Sequence, residues 1–230
     1  MSKQLLKTAF RDTIPVLTGY LFLGMGFGIL LAEKGYGIGW SLAMAVFMLA
    51  GSGQYLAVSL LASQASLVST AISILLVNAR HLFYGISLVD AYKDAGKKKA
   101  YMIFGLTDET YSLVTQNQPP EGVSRHAYCF LVTFLDHIYW VCGCALGSIA
   151  GTALPISFEG IEFVLTALFV TMFVEQWLAN KDHRPAIIGV MSTALCLFVF
   201  GQKIFLLTSM ALIAGLLIAI RKTGKEAHNA

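Results

Sequence analysis

The chain has 230 residues, of which 57% are hydrophobic and only 13% are charged, with a mean hydropathy of +0.70 and a formal net charge of +3. A soluble domain carries about 25% charged residues, so this composition excludes an ordinary soluble fold. It predicts an all-α polytopic membrane protein. Each membrane helix uses about 20 residues, so residues 1–230 form a single transmembrane domain with no room for a soluble one.

Eight apolar segments follow one another along the chain. The first is too long for the core of a cleavable signal peptide and lacks a small-residue cleavage site. The fourth has two acidic residues at its centre and the seventh is short, so about six to eight segments are predicted to cross the membrane. The segments lie at residues 13–32, 40–62, 67–90, 100–116, 126–151, 161–179, 186–200 and 203–220.

Lysine and arginine predict the orientation, because they collect on the cytoplasmic side of a membrane protein. If all eight segments cross, most basic groups are cytoplasmic, and so are both termini, as expected for a bacterial inner-membrane protein. These groups are Lys3, Lys7, Arg11, Arg125, Lys181, Arg184, Arg221, Lys222 and Lys225. Lys93 and the run 97–99 would then lie outside. A broken or re-entrant segment before them, with a non-spanning 100–116, would place them inside.

A weak internal repeat appears when the sequence is shifted by 122 residues. The stretch 54–57, Gln-Tyr-Leu-Ala, then falls on 176–179, Gln-Trp-Leu-Ala. Apolar matches arise easily by chance in a membrane protein, but the paired glutamines are less common. Duplicated halves are usual in secondary transporters, so we predict repeat halves at 8–116 and 126–220, with Gln54 and Gln176 in equivalent places.

The first polar cluster is the run Gly51-Ser52-Gly53-Gln54 inside the second segment. Glycine weakens a helix by about 1 kcal/mol relative to alanine, and it exposes backbone groups to a ligand. A glycine-interrupted segment that recurs in the second half, here through Gln176, is the pattern of a transporter binding site. The alternative is a small-residue face for helix packing.

The second polar cluster contains Asn78, Arg80, His81, Tyr84 and Gly85. In a continuous helix, Asn78, His81 and Gly85 share one face, while Arg80 and Tyr84 share the neighbouring face. A guanidinium inside the membrane needs a carboxylate, a carbonyl or water. Arg80 is therefore predicted either to clamp a substrate carboxylate, or to pair with an internal acid or reach the interface.

Acidic residues inside the segments are candidates for binding an ammonium group or relaying protons. Asp136 is the first candidate for proton coupling, because it lies about ten residues into its segment. Asp108 and Glu109 come second, because their segment does not have to span the membrane. The alternatives are that Asp108 and Glu109 are hydrated near the interface and that Asp136 only neutralises Arg80.

Several classes of chemistry find no pattern in the sequence. The histidines and the four cysteines have no metal-ligand spacing, and no nucleotide-binding motif occurs, so we expect neither a metal nor another cofactor. The run Gly51-Ser52-Gly53 is not a nucleophile elbow. We expect a transporter and not an enzyme. A channel or a permease for another small solute is the alternative, and an intramembrane hydrolase using Ser52 is the least favoured.

These polar clusters, together with glycines in the first segment, resemble the azaleucine-resistance (AzlC-type) permease family over about residues 8–220. The resemblance implies an exporter of valine, leucine, isoleucine or similar amino acids, driven by an ion gradient and assisted by a small hydrophobic AzlD-type subunit. The matching residues are Pro15, Gly24, Gly26, Gly28, Ala50 to Gln54, Asn78 to His81, Tyr84, Gly85, Asp108, Glu109 and Tyr111. The second half matches less closely.

Overall fold

The computed structural model describes residues 3–119, 121–153, 163, 166–167, 170, 173–174, 177–178, 182–201 and 205–228. Regular structure in these ranges is helical, so the prediction of an all-α membrane protein is confirmed. The helices are α1 (Lys3–Glu33), α2 (Ile38–Phe47), α3 (Gly51–Ala62), α4 (Leu67–Asn78), α5 (Arg80–Leu88), α6 (Lys98–Phe104), α7 (Asp108–Gln116), α8 (Arg125–Ala153), α9 (Arg184–Phe200) and α10 (Phe205–His228).

Two of the described helices, α1 and α8, are long and apolar enough to cross a membrane. The pair α4 and α5 adds a third span if its two parts cross together, with a bend of 47° between them. Shorter apolar helices are α2, α9 and Thr208–Ile220. The count of six to eight crossings stays a prediction.

Three of the predicted segments, the second, the third and the fourth, are each divided into two helices. The breaks lie at residues 48–50, at Ala79 and at residues 105–107. The first break precedes the weak helix formers Gly51 and Gly53, and the third begins at Gly105 and ends at Thr107, which caps α7 by accepting from the Thr110 backbone N–H. Glycine and capping residues favour helix ends over helix interiors, which explains these breaks.

The chain divides into two compact units, which we describe separately. Unit 1 comprises the described residues within 1–74 and 81–165, and unit 2 those within 75–80 and 166–230. In unit 2, α9 packs against α10. The Trp177 ring stacks on His183 there, with centroids 4.1 Å apart. The residues that follow all belong to unit 1 unless stated.

Helices α1 and α8 run parallel and form the frame of unit 1. Gly24 and Gly28 of α1 lie against Gly143 and Gly147 of α8 in the same order along both helices. A Cβ on Gly24 would lie 2.9 Å from the α8 backbone, and a Cβ on Gly143 would lie 2.6 Å from the Tyr20 carbonyl oxygen. Only glycine permits such an approach, and the four-residue spacing is that of close-packed membrane helices.

The parallel pair defines a lower end, where α1 and α8 begin, and an upper end, where they finish. One apolar cluster at the lower end joins the start of α1, the joint after α5 and the start of α8. Its members include Leu5, Ala9, Leu88, Tyr92, Ala95, Tyr128 and Cys129. The joint carrying Lys93 and the lysine run 97–99 therefore lies at the same end as Lys3 and Lys7, as the non-spanning alternative predicts.

Helices α2 and α3 form a hairpin that enters unit 1 from the upper end. At the start of α2, the Ser41 hydroxyl donates to the Cys144 carbonyl over 3.1 Å. In α3, the Tyr55 hydroxyl donates to the Leu23 carbonyl over 2.8 Å. Leu23 lies at the same height as Cys144, because the neighbouring Gly24 packs against the Cys144 backbone. Between α2 and α3, Leu49 reaches down to Gly105. The chain thus descends along α2 and returns along α3.

Helices α6 and α7 form a second hairpin, which enters from the lower end. Contacts with α8 climb along α6 and descend again along α7. In chain order they join Lys98 to Phe130, Tyr101 to His137, Thr110 to Asp136, and Val114 to Arg125. The tips of the two hairpins, residues 48–50 and 105–107, meet where Leu49 packs at Gly105. Both hairpin breaks therefore lie in the middle of unit 1.

Gln176 lies outside the described residues, so the equivalence of the two glutamines and the repeat halves at 8–116 and 126–220 stay predictions.

Candidate functional site

The upper hairpin places Gln54 in a fully buried position beside Trp140. The indole N–H of Trp140 donates to Oε1 of Gln54 over 2.8 Å. An indole nitrogen can only donate, so the Gln54 oxygen must face it and the amide nitrogen is left over. That nitrogen, Nε2, is buried and has no hydrogen-bond partner among the described residues. Leaving a buried donor unsatisfied costs about 1–3 kcal/mol, so an acceptor on a ligand would stabilise this nitrogen.

The start of α3 supplies further donors next to Gln54. The first-turn N–H groups of Gly51 and Gly53 have no acceptor within the helix, and Ala50 at the N-cap offers no side-chain oxygen. The N-terminus of a helix carries about half a positive charge, which favours an anion. Gly51 also permits close approach, since a Cβ there would lie 3.2 Å from the Trp140 ring.

Leu49, at the tip of the same hairpin, has a left-handed backbone with φ of 35°. A non-glycine residue in this region costs about 1–3 kcal/mol, and such strain concentrates at ligand clamps. The strain is held at the point where the sharp turn brings the end of α2 close to the start of α3. The break therefore brings carbonyl groups at the end of α2 close to N–H groups at the start of α3.

Trp140 joins this region to the rest of the interior. Its ring meets Tyr20 edge-on with centroids 5.4 Å apart, and it stacks near Phe27 with centroids 6.5 Å apart. Phe27 in turn meets Tyr55 edge-on at 5.9 Å. These aromatic rings form an apolar wall beside the start of α3, of the kind that receives an aliphatic side chain.

The lower hairpin and α1 carry a chain of hydrogen bonds between two of the predicted acids. The Tyr20 hydroxyl lies 2.7 Å from Oε2 of Glu109 and 2.6 Å from the Thr107 hydroxyl. The Thr107 hydroxyl donates to that of Thr110 over 3.0 Å. The Thr110 hydroxyl then donates to Oδ2 of Asp136 over 2.7 Å. Five side chains from three helices thus form one continuous path.

Asp136 is the innermost group of this path, with 1% of its surface exposed. Its second carboxylate oxygen, Oδ1, is buried and has no hydrogen-bond partner among the described residues. A buried ionised carboxylate without full pairing is costly. The role of Asp136 in proton coupling stays a prediction.

Asp108 and Glu109 occupy the first turn of α7, where acidic side chains stabilise the helix dipole. Both are partly buried rather than fully exposed. The hydrogen-bond path includes Glu109, which is thereby connected to Asp136 through Tyr20 and the two threonines.

The second predicted cluster is divided by the break at Ala79. Asn78 ends α4 and Arg80 begins α5, so the predicted face shared by Asn78 and His81 is wrong, because it assumed one continuous helix. Asn78 and Arg80 belong to unit 2, whereas His81 and Tyr84 belong to unit 1. Asparagine favours turns over helix interiors, which is consistent with the break.

Within unit 1, Tyr84 belongs to an aromatic group at the side of the lower hairpin. Its ring stacks on Tyr111 with centroids 4.6 Å apart and meets His81 edge-on at 5.8 Å. The Ser87 hydroxyl lies 3.0 Å from that of Tyr111. The group attaches α5 to α7. The predicted substrate-binding role of His81 and Tyr84 stays a prediction, as do those of Asn78 and Arg80.

No group of three metal-ligating side chains occurs among the residues that the structure describes. Sequence reasoning missed Tyr20, Thr107, Thr110 and the role of Trp140. A signal for two of them was present, since Thr107-Asp108-Glu109-Thr110 has the composition of a capped helix start. No such signal marked Tyr20, because a single tyrosine in an apolar helix is usually a packing residue of the core.

A family model described as "AzlC protein" matches residues 15–154. The "Branched-chain amino acid transport protein AzlC" of Bacillus subtilis is 39% identical over 222 residues, covering 96% of this chain and 87% of the relative. An "Uncharacterized membrane protein" of Helicobacter pylori is 40% identical over 216 residues, covering 94% and 95%. "Inner membrane protein YgaZ" of Escherichia coli is 23% identical over 209 residues, covering 90% and 84%. No solved structure matches.

Proposed function

Since the chain belongs to the AzlC family and is a membrane transporter, we propose that it exports branched-chain amino acids across the bacterial inner membrane. The relative in Bacillus subtilis is named as a branched-chain amino acid transport protein, and the site described above has matching chemistry. Valine, leucine and isoleucine are the proposed substrates. An ion gradient supplies the energy, and a small hydrophobic AzlD-type subunit is the proposed partner.

The observation that carries the proposal is the broken hairpin at residues 48–50. A zwitterionic amino acid needs positive charge for its carboxylate and negative charge for its ammonium group. The start of α3 and the amide nitrogen of Gln54 provide donors for the carboxylate, and the carbonyls at the end of α2 provide acceptors for the ammonium. Broken helices bind substrates in this manner in other transporters.

The apolar wall supplies the specificity for a branched aliphatic side chain. Trp140, Phe27 and Tyr55 stand beside the start of α3 and are all nearly buried. Burying a leucine side chain there contributes about 1.5–3 kcal/mol, whereas burying a charged side chain without a partner is unfavourable. The proposed site therefore selects leucine, valine and isoleucine over lysine or glutamate.

Arg80 is a second candidate for holding the substrate carboxylate, together with Asn78 and Gln176 as predicted from the sequence. A guanidinium binds a carboxylate through two parallel hydrogen bonds, which is a stronger contact than one amide provides. The two candidates make different mutational predictions, which are given below.

The proposed orientation has both termini in the cytoplasm, following the positive residues at the lower end of unit 1. Export against a gradient then needs a coupled ion, and Asp136 is the proposed proton carrier, with Glu109 and Asp108 as further candidates. A passive channel is the competing function. It would conduct without saturation and without trans-stimulation by unlabelled substrate.

The test is exchange of labelled leucine in proteoliposomes, prepared with and without the AzlD-type subunit. We expect saturable exchange that valine and isoleucine inhibit and lysine and glutamate do not. Gln54→Leu, which keeps the size but removes the amide, should raise the KM for leucine by about tenfold, equal to about 1.4 kcal/mol. The matched control is Gln116→Leu, at an exposed position of α7. Equal inhibition by all amino acids, or unsaturable flux, would reject the proposal.

A further inference from the structure

We propose that the Tyr20 hydroxyl is the switch of a proton wire that joins Glu109 to Asp136, an inference that rests on the proposed proton-coupled transport. Tyr20 is the residue of this path contributed by α1, and none of the sequence patterns pointed to it. Its hydroxyl is 2.7 Å from the Glu109 carboxylate and 2.6 Å from Thr107, and the residue itself is 5% exposed.

The switch follows from counting protons. The Tyr20 hydroxyl has one proton but two acceptors within hydrogen-bond distance, so it can donate to only one of them at a time. When Glu109 is ionised, the carboxylate is the stronger acceptor and takes the bond. When Glu109 is protonated, it donates to the Tyr20 oxygen instead, and Tyr20 turns its own proton towards Thr107. The charge of Glu109 thereby sets the direction of the Tyr20 hydroxyl.

The two threonines carry this direction onward. The Thr107 oxygen accepts from Tyr20 and from the Thr110 backbone N–H, which uses both of its lone pairs, and its proton points at the Thr110 oxygen. The Thr110 proton points at Asp136. In this arrangement every hydroxyl accepts on one side and donates on the other.

The net result of the transfer is that one proton leaves Glu109 and one arrives at Asp136, through four short proton transfers. The proton of neutral Glu109 passes to the Tyr20 oxygen, and the Tyr20 proton passes to Thr107. The Thr107 proton then passes to Thr110, and the Thr110 proton to the Asp136 carboxylate. Four O–H bonds break and four form. Glu109 ends as a carboxylate and Asp136 as a neutral acid, with each hydroxyl turned the other way.

The remaining ionisable groups around this path are few. From α7 there is Asp108, next to Glu109 in the first turn. From α8 there are Tyr139, whose hydroxyl lies 3.1 Å from that of Thr13, and His137, which follows Asp136 in the chain. The Nδ1 atom of His137 lies 2.8 Å from the hydroxyl of Tyr101 on α6. Helix α2 has no ionisable side chain, and α3 has only Tyr55, whose proton is directed at the Leu23 carbonyl. The charge that changes on the wire is thus carried by the two acids at its ends.

The wire also touches the proposed substrate site. The Tyr20 ring meets the Trp140 ring edge-on, and the Trp140 N–H holds Gln54. A movement of Gln54 on binding a carboxylate therefore reaches the Tyr20 side chain through one intervening ring. This contact gives the wire a route by which substrate binding and proton position influence each other.

The experiment compares Tyr20→Phe with Tyr128→Phe in proteoliposomes. Phenylalanine keeps the ring in both cases, and Tyr128 is a matched control because its hydroxyl also donates to a carboxylate, Asp12, over 2.8 Å outside the wire. We expect Tyr20→Phe to keep leucine exchange while proton-driven accumulation falls by about 100-fold, at the low end of what a positioned proton donor contributes. Tyr128→Phe should retain both activities.

A second measurement needs no substrate. Infrared difference spectra between acidic and alkaline buffer follow the carboxylic acid C=O band of Asp136, identified by its loss in Asp136→Asn. We expect this band to shift in Glu109→Gln and in Tyr20→Phe, but not in Tyr128→Phe. If Tyr20→Phe does not fold, Thr110→Val breaks the wire at its last hydroxyl, and Thr110→Ser should restore it.

The outcomes separate the wire from the transport proposal. Full accumulation by Tyr20→Phe, or an Asp136 band unchanged by both Tyr20→Phe and Glu109→Gln, overturns the wire while the substrate proposal stands. Absence of leucine exchange in the wild-type protein rejects the substrate proposal. The infrared shifts then still decide whether Glu109 and Asp136 communicate through Tyr20.

Discussion

The α1–α8 pair and the two hairpin tips differ in helix continuity, in packing and in backbone strain. The pair is continuous and held by glycines in direct backbone contact. The tips interrupt their helices, and the upper one contains the strained Leu49 and precedes Gln54, whose buried amide nitrogen has no partner among the described residues. The pair therefore stabilises the fold, whereas the strain and the unsatisfied donor at the upper tip lower its stability. Substitutions in the pair should therefore impair folding, whereas substitutions at the tips should alter transport.

The largest expected effect comes from filling the helix contact. Gly147→Val places a side chain against the α1 backbone at Met25, where neither helix can yield without separating. We expect a loss of about 3 kcal/mol or more in stability, since overpacking at backbone contact has no side chain to relax. Thermal unfolding in detergent, monitored by size-exclusion chromatography, measures it.

Gly189→Val is the matched control for that substitution. Gly189 is also a helical glycine, in α9, and a Cβ there would meet nothing within 4 Å. Equal destabilisation by the two variants would show that the loss comes from valine in a helix, and not from the α1–α8 contact.

The second effect concerns coupling at Asp136. We expect Asp136→Asn to fold and to exchange leucine, but to concentrate it about 100-fold less in response to a pH gradient, because the amide cannot carry the proton. If Asp136 only neutralises Arg80, the single variant should instead express poorly and recover when Arg80→Ala is added. Normal accumulation by Asp136→Asn would remove Asp136 from the coupling path.

The third effect decides which group holds the substrate carboxylate. If Arg80 is the clamp, Arg80→Ala should abolish leucine exchange with normal membrane insertion, and Arg80→Lys should restore little, because lysine cannot form two parallel hydrogen bonds. If the start of α3 suffices, Arg80→Ala should keep exchange, and only Gln54→Leu should raise the KM. Initial rates at varied leucine concentration distinguish the two.

The smallest effect relieves backbone strain in the joint before α4. Gln64 is exposed and has φ of 51°, so Gln64→Gly should stabilise the protein by about 1 kcal/mol, because glycine adopts a positive φ without cost. We expect a higher melting temperature with unchanged leucine exchange. Leu49→Gly is the contrast at the upper hairpin tip: it relieves a similar strain but removes a buried side chain, which costs about 2 kcal/mol or more, so it should melt at a lower temperature. Equal melting of the two variants would show that the packing of Leu49 does not stabilise the tip.

The sequence was sufficient for the fold class, but not for the breaks in the predicted segments. Composition alone predicts membrane helices, since charge is so costly in lipid. The interruption near Gly51 was visible from its glycines, and the lysine run near Lys97 hinted at a re-entrant segment. Whether a glycine pair kinks a helix or reverses the chain depends on tertiary packing, here Leu49 against Gly105. Local propensity does not contain that information.

The hydrogen-bond path was beyond prediction for a related reason. Glu109, Tyr20 and Asp136 are far apart in the chain, and they meet only because α7 turns back beside α8 while α8 lies parallel to α1. A continuous segment over 100–116 would carry Glu109 past Asp136 without this contact. The sequence does not show in which direction the chain continues after Gly105, and that direction decides whether Glu109 comes near Asp136.

The parallel direction of α1 and α8 imposes a parity rule on the stretch of chain between them. Two spans that rise from the same face oblige the intervening residues to come back across the bilayer an odd number of times. The chain enters and leaves each hairpin on the same side of the bilayer, so neither hairpin adds a crossing. We therefore predict that α4 and α5 make this return as one bent crossing. A reporter inserted at residue 65 and one at residue 96 should consequently read opposite compartments.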